Sequence, residues 1–190
     1  MNYTTLSLAE VTNALEDIAR EAQTAFGGLG TTQLNWRPDQ TRWSVGQCFE
    51  HLFTTNRMLA RRTEEALDHA RPRTIWQRLP VLPRLFGRLL IQSQAPSDTR
   101  KFKAPPAAQP SASGVAADVV TRFIQQQRES AARVLTIDQR AAAGAIMTSP
   151  FFDFITYSVL DGLRLMIAHN RRHFEQALRV TQSSGFPDSA

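Results

Sequence analysis

Apolar residues that recur at steps of three and four run through most of this chain, and they leave little choice of fold. Leu8, Val11, Leu15, Ile18, Ala22 and Phe26 form one such stripe. Ser7 and Glu10 stand before it at capping-box spacing, and Gly27-Gly28 stop it. The connection through Asn35-Trp36-Arg37-Pro38-Asp39 has turn chemistry, and Ser44 with Gln47 forms a second capping box. A second helix then runs to about His69, with Val45, Cys48, Leu52, Leu59 and Ala66 on one side and Glu50, Arg57, Arg61, Glu64 and Asp68 on the other; Arg71-Pro72 ends it. The period predicts a third helix from about Ser113, carrying Val115, Val119, Val120, Phe123, Ile124 and Val134, and a fourth from about Asp153 or Thr156 to Thr181. No alternating pattern proposes a strand anywhere.

Seven of the ten prolines fall in residues 71–112, which read as a long crossover carrying a short apolar-basic insert, Trp76 to Ile91. Four amphipathic helices with one crossover of about 40 residues describe an all-α four-helix bundle in which the second and third helices run parallel. With 42% apolar residues, a chain of 190 residues suffices for one domain with one core, so the expected unit is 1–190. No apolar stretch of about 18 residues exists to span a membrane. A single cysteine, and an N-terminus without a basic start and apolar run, point to the cytoplasm.

The formal charge of +5 has one source. Residues 71–103 net +7, and the remainder nets −2. Within that segment Ile75, Leu79, Leu82, Phe86 and Leu89 sit at helical spacing between arginines, so the expectation is a helix packed on the bundle or on a partner subunit with its arginines in water. Nucleic acid is not an expected partner, since no DNA-binding motif accompanies the charge; a membrane is not expected either, with reversible contact of the basic segment with an acidic membrane surface as the open alternative.

Chemistry is concentrated in the histidines. His169 and His173 are four residues apart, about 40° around a helix, on the same arc as Val159, Leu163, Met166, Ala177 and Val180. Arg164, Arg171, Arg172, Glu175 and Arg179 occupy the far side. His51 borders the apolar stripe of the second helix, so three of the four histidines face inward. A buried imidazole can simply be hydrogen-bonded, and an HxxxH pair alone is common. Three unpaired in one core would cost about 1–3 kcal/mol each, and a divalent metal supplies a partner to every one. His69, some 27 Å along its helix from His51, cannot join them and reads as a helix-end cation. Cys48, one turn before His51, offers a soft fourth ligand or simply packs. Gln47, Glu50, Asn170 and Gln176 flank the histidines and can orient an imidazole's outer N–H, or be ordinary polar positions.

Several segments taken together resemble the DinB-like superfamily, of the DinB/YfiT type. They are Trp36-Arg37-Pro38, then Trp43-Ser44-Val45-Gly46-Gln47-Cys48-Phe49-Glu50-His51-Leu52, Lys101-Phe102-Lys103-Ala104-Pro105, Pro110-Ser111-Ala112-Ser113, and His169-Asn-Arg-Arg-His173-Phe-Glu-Gln176. The resemblance implies an up-down-down-up bundle holding a divalent metal, often nickel or zinc, on three histidines that match His51, His169 and His173. It also implies homodimers. Some members attach a low-molecular-weight thiol such as bacillithiol or mycothiol to a small-molecule electrophile, and others are metal-dependent hydrolases. The insert within 71–112 departs from the usual pattern.

The expected function is therefore a metal-dependent enzyme activating a thiol or a water, of the thiol S-transferase type. The alternatives are a hydrolase or a non-catalytic bundle that binds metal or a small molecule. Zinc, nickel and iron all accept three imidazoles. No separate general base stands out.

Overall fold

The computed structural model describes residues 1–68, 74–78, 81–98, 100, 103–112 and 114–188. Four long helices make the bundle: α1 (Leu8–Phe26), α3 (Val45–Leu67), α5 (Val119–Leu135) and α7 (Val159–Thr181). Between them lie three short helices, α2 (Thr31–Asn35), α4 (Leu82–Gln94) and α6 (Gln139–Gly144), and a hairpin of β1 (Ile146–Thr148) and β2 (Thr156–Ser158). Both capping boxes form, Ser7 with Glu10 and Ser44 with Gln47, and they set where α1 and α3 begin.

Side-chain contacts establish the helix directions. The Leu6 carbonyl accepts from Arg164, Glu21 pairs with Arg171 and Phe26 meets Phe174, so α1 and α7 run together. Phe49 meets Phe123, the Phe53 carbonyl accepts from Gln126, and Glu64 and Arg133 line the same groove further on, so α3 and α5 run together. His51, near the start of α3, meets the middle of α7, while Leu59 and Thr63 share a groove with Gly162 and Met166 near its start. The order is up-down-down-up. Phe26, Phe49, Phe123 and Phe174, one ring from each bundle helix, form an edge-to-face layer with centroids 5.0–5.2 Å apart.

Three expectations are corrected. A strand pair exists: Ile146–Thr148 and Thr156–Ser158 are antiparallel, with Met147 opposite Tyr157, both buried. Three residues are too few for alternation to show in a sequence. Consequently α7 starts neither at Asp153 nor at Thr156 but at Val159, where the Ser158 hydroxyl accepts from the Asp161 N–H. The third bundle helix starts at Val119 and not near Ser113, because Gly114 takes a positive φ of 72° and Val115 is held from both sides by Asn35. The Asn35 amide donates to the Val115 carbonyl at 3.1 Å, and its oxygen accepts from the Val115 N–H at 2.8 Å.

The crossover carries the expected short helix packed on the bundle, with Arg84 and Arg88 exposed, and its expected apolar stripe is only partly covered: Leu82 and Phe86 are half-buried. Pro83, Gly87 and Ile91 are buried, whereas Ile75 and Leu89 are exposed. Leu79 and His69, with its expected helix-end role, lie outside the described residues.

Gly46, in the first turn of α3, is where the end of α2, the segment before α5 and the histidine-bearing helix converge. A Cβ there would lie 2.8 Å from the Leu34 carbonyl oxygen and 3.1 Å from the Val115 side chain. Backbone cannot yield as a side-chain tip can. Gly46→Ala should therefore destabilise the protein by about 1–3 kcal/mol, despite the better helix propensity of alanine. Urea unfolding would read this as a lower midpoint with an unchanged slope; an unchanged or raised midpoint would contradict the packing described.

Candidate metal centre

His51 lies seven residues beyond the Ser44 cap of α3, and His169 and His173 lie one turn apart on α7. Antiparallel packing of the two helices brings the three rings together, with centroids 5.0 Å apart for His51–His169, 4.7 Å for His51–His173 and 4.6 Å for His169–His173. One nitrogen from each lies within 4.8 Å of the other two. Among the described residues no carboxylate or thiol joins the group. His51 is 4% exposed, while His169 and His173 each keep a partly accessible edge.

The outer nitrogens determine what the inner ones can do. His51 Nδ1 faces the Ala108 carbonyl at 2.6 Å. A carbonyl only accepts, so this nitrogen carries the proton and His51 Nε2 presents a lone pair. That Nε2 stands 3.1 Å from His169 Nε2. His173 Nδ1 likewise donates to Gln176 Oε1 at 2.9 Å, leaving its Nε2 bare. Trp43 stacks on His173 at 5.6 Å between centroids and tilts across His51 at 5.0 Å, closing one side of the cluster.

All three imidazoles are held below the usual histidine range. For His173 the value is about 3, through burial first and then the charge of His51, with the Gln176 bond acting in the opposite direction. Burial also leads for His169, followed by His173 and His51. In His51 burial outweighs the Ala108 bond. Each ring is therefore neutral at physiological pH, the form in which imidazole binds a metal. Three neutral nitrogens gathered in a buried place, with both outer protons held on two of them, can hold a metal ion.

The flanking residues separate into two groups. Gln176 holds His173. Gln47 does not touch the rings: its oxygen accepts from the Ser44 N–H, and its amide donates to the Ser111 carbonyl at 2.8 Å. Glu50 accepts from the N–H and hydroxyl of Ser111. Together they fasten the segment that presents the Ala108 carbonyl. Asn170 donates to Gln127 at 2.8 Å in the core. Cys48 is fully buried, and burial pushes its thiol up to about 12, so it packs as a small apolar group.

Two site residues were not assigned from sequence. Any residue supplies a carbonyl, so nothing marks Ala108. Trp43 precedes the Ser44 cap and was visible as part of a motif, but its stacking on two histidines depends on how α3 meets α7.

Residues 14–177 match the DinB superfamily. The chain belongs to the DinB superfamily. No curated protein sequence matches it. Among solved structures, this DinB-superfamily chain is similar to YfiT from Bacillus subtilis, a probable metal-dependent hydrolase with an unusual four-helix bundle topology. The two share 14% identity and a TM-score of 0.60, over 95% of this chain and 89% of that one. At that identity the likeness concerns the fold. No helix among the described residues is long and apolar enough to cross a membrane.

The depressed imidazoles have a consequence for acid stability. Between pH 6.5 and about 3, an unfolded chain's histidines take protons that folded His173 does not. The unfolded state then binds more protons, so stability rises with pH across that window. Metal-free protein should be most stable above pH 6.5 and lose stability as pH falls towards 3, beginning before carboxylates titrate. Urea midpoints compared at about pH 7.5 and about pH 5 should show the loss, and His173→Phe should show a smaller one. A midpoint flat across that interval would refute the assignment of three neutral buried rings.

Proposed function

We propose that this DinB-superfamily protein is a metal-dependent enzyme in which His51, His169 and His173 hold one divalent ion, zinc, nickel or iron. The observation that carries this reading is the convergence of three imidazole nitrogens, those of His51 and His173 left bare by the bonds to Ala108 and Gln176, with no carboxylate among the described residues beside them. Held by three neutral ligands, such an ion keeps its double charge and an open position, and lowers the pKa of a thiol or water that reaches it.

The chain's own part is to position and to exclude. Ala108 and Gln176 aim the rings, burial keeps them unprotonated, and Trp43 shields one side from solvent. The open edges of His169 and His173 are where a substrate can approach. No acidic side chain among the described residues stands within the cluster to take a proton. That suits a thiol, which ionises more readily than water, and supports transfer of a low-molecular-weight thiol to a small-molecule electrophile in the cytoplasm. Hydrolysis is the second reading. It is favoured by the likeness to YfiT, and it places a water where the thiol would be.

Elemental analysis of protein purified without added metal should find about one divalent ion per chain, and the combined variant His51→Ala, His169→Ala, His173→Ala should retain less than about a tenth of it. Gln176→Ala should weaken metal retention about 10–100-fold while leaving the helix intact. Metal-loaded protein should conjugate one of a panel of low-molecular-weight thiols to a chromogenic electrophile, and the triple variant should not. Ester hydrolysis without conjugation would select the second reading. Equal metal content in wild type and triple variant would overturn both.

A further inference from the structure

Helix α4 buries one face on the bundle and leaves a second apolar stripe exposed. Pro83, Gly87 and Ile91, spaced by four, form its buried face, and at Gly87 the approach to α7 is so close that a Cβ would lie 2.7 Å from an Asp161 carboxylate oxygen. Val81, Leu85 and Leu89, also spaced by four, lie about 200° away and are 48–68% exposed. Leu82, Phe86 and Leu90 are half-buried between the two faces, so the outward stripe is apolar surface beyond what the bundle covers.

The adjoining segments carry further exposed apolar side chains. The turn before α4 adds exposed Ile75 and Trp76, and the β1–β2 connection adds exposed Phe152 and Phe154, whose rings are 6.0 Å apart. The hairpin is fastened to that turn, because Gln77 donates to the Ile146 carbonyl and the Thr148 hydroxyl, and Thr156 donates to the Trp76 carbonyl. Strand β2 also packs on α4. Of the nine large hydrophobic side chains exposed among the described residues, seven belong to these adjoining segments. So much grouped apolar surface marks a contact surface.

Charge identifies the occupant. Arg84 and Arg88 are exposed beside the stripe, and the enclosing segment 71–103 nets +7 while the rest of the chain nets −2. A second copy docked by two-fold symmetry would bring the same cationic segment against itself. A negatively charged surface with an apolar layer beneath it satisfies both features, and exposed tryptophan and phenylalanine with arginine are the side chains that sit at such a boundary. We propose that the outward face of α4, with Trp76 and the Phe152–Phe154 pair, docks on an anionic lipid membrane. The apolar side chains enter the boundary of the acyl region and the arginines meet the phosphate headgroups. The contact is peripheral, and it faces α7, the helix bearing two of the clustered histidines, towards the bilayer from behind α4.

Sedimentation with vesicles tests this without reference to the metal site. The full chain should co-sediment with phosphatidylcholine vesicles containing about 30 mol% phosphatidylglycerol at about 20 mM salt, release at about 0.5 M salt, and ignore pure phosphatidylcholine. Leu85→Ser with Leu89→Ser, and separately Arg84→Gln with Arg88→Gln, should each lower the bound fraction about tenfold while thermal unfolding stays unchanged, since these side chains are exposed. Absence of binding at low salt overturns the proposal, as does binding that neither pair of substitutions weakens. A concentration-dependent dimer that the leucine changes dissolve, without vesicle binding, overturns it also and assigns the face to a second copy.

Discussion

The layer of four phenylalanines is the contact on which the rest depends. One ring comes from each long helix, and edge-to-face packing is more particular about angle and height than aliphatic contact, so the layer fixes the axial register of all four helices at one level. Phe49 stands two residues before His51, and Phe174 directly follows His173. The histidines thus belong to the next level of the same stack. A slip of one turn between α3 and α7, about 5.4 Å, would move His51 further than the spacing between the rings themselves.

Register alone leaves the His51 ring free to rotate, and the crossover removes that freedom. It is fastened to α3 by Gln47 and Glu50 at Ser111, and to α7 by Arg172, whose guanidinium donates to the carbonyls of Ser93, Asp98 and Arg100. Between these fastenings lies Ala108, whose carbonyl sets the His51 tautomer. A stretch rich in proline and alanine therefore completes the cluster through its backbone. Among its described residues no side chain joins the cluster.

The difference between what was legible in the sequence and what was not follows from the range of the interactions involved. Capping boxes join residues three apart, and helical periodicity repeats over several turns, so α1, α3 and the inward side of His51, His169 and His173 could be read directly. The bend before α5 depends on Asn35 bonding to Val115, eighty residues away, and no local pattern announces it. The hairpin is too short for alternation to appear. Amphipathic periodicity in α4 marks Leu82 and Phe86, which are half-buried, but not Pro83 and Gly87, which make the closer contact.

Cys48 is the only sulfhydryl in the chain, and it lies wholly inside the core with its ionisation pushed to about 12. Alkylation and oxidation proceed through the thiolate and require access, and this side chain offers neither while the fold is intact. The folded protein thus offers thiol-specific reagents no sulfhydryl, and labelling of Cys48 would report unfolding.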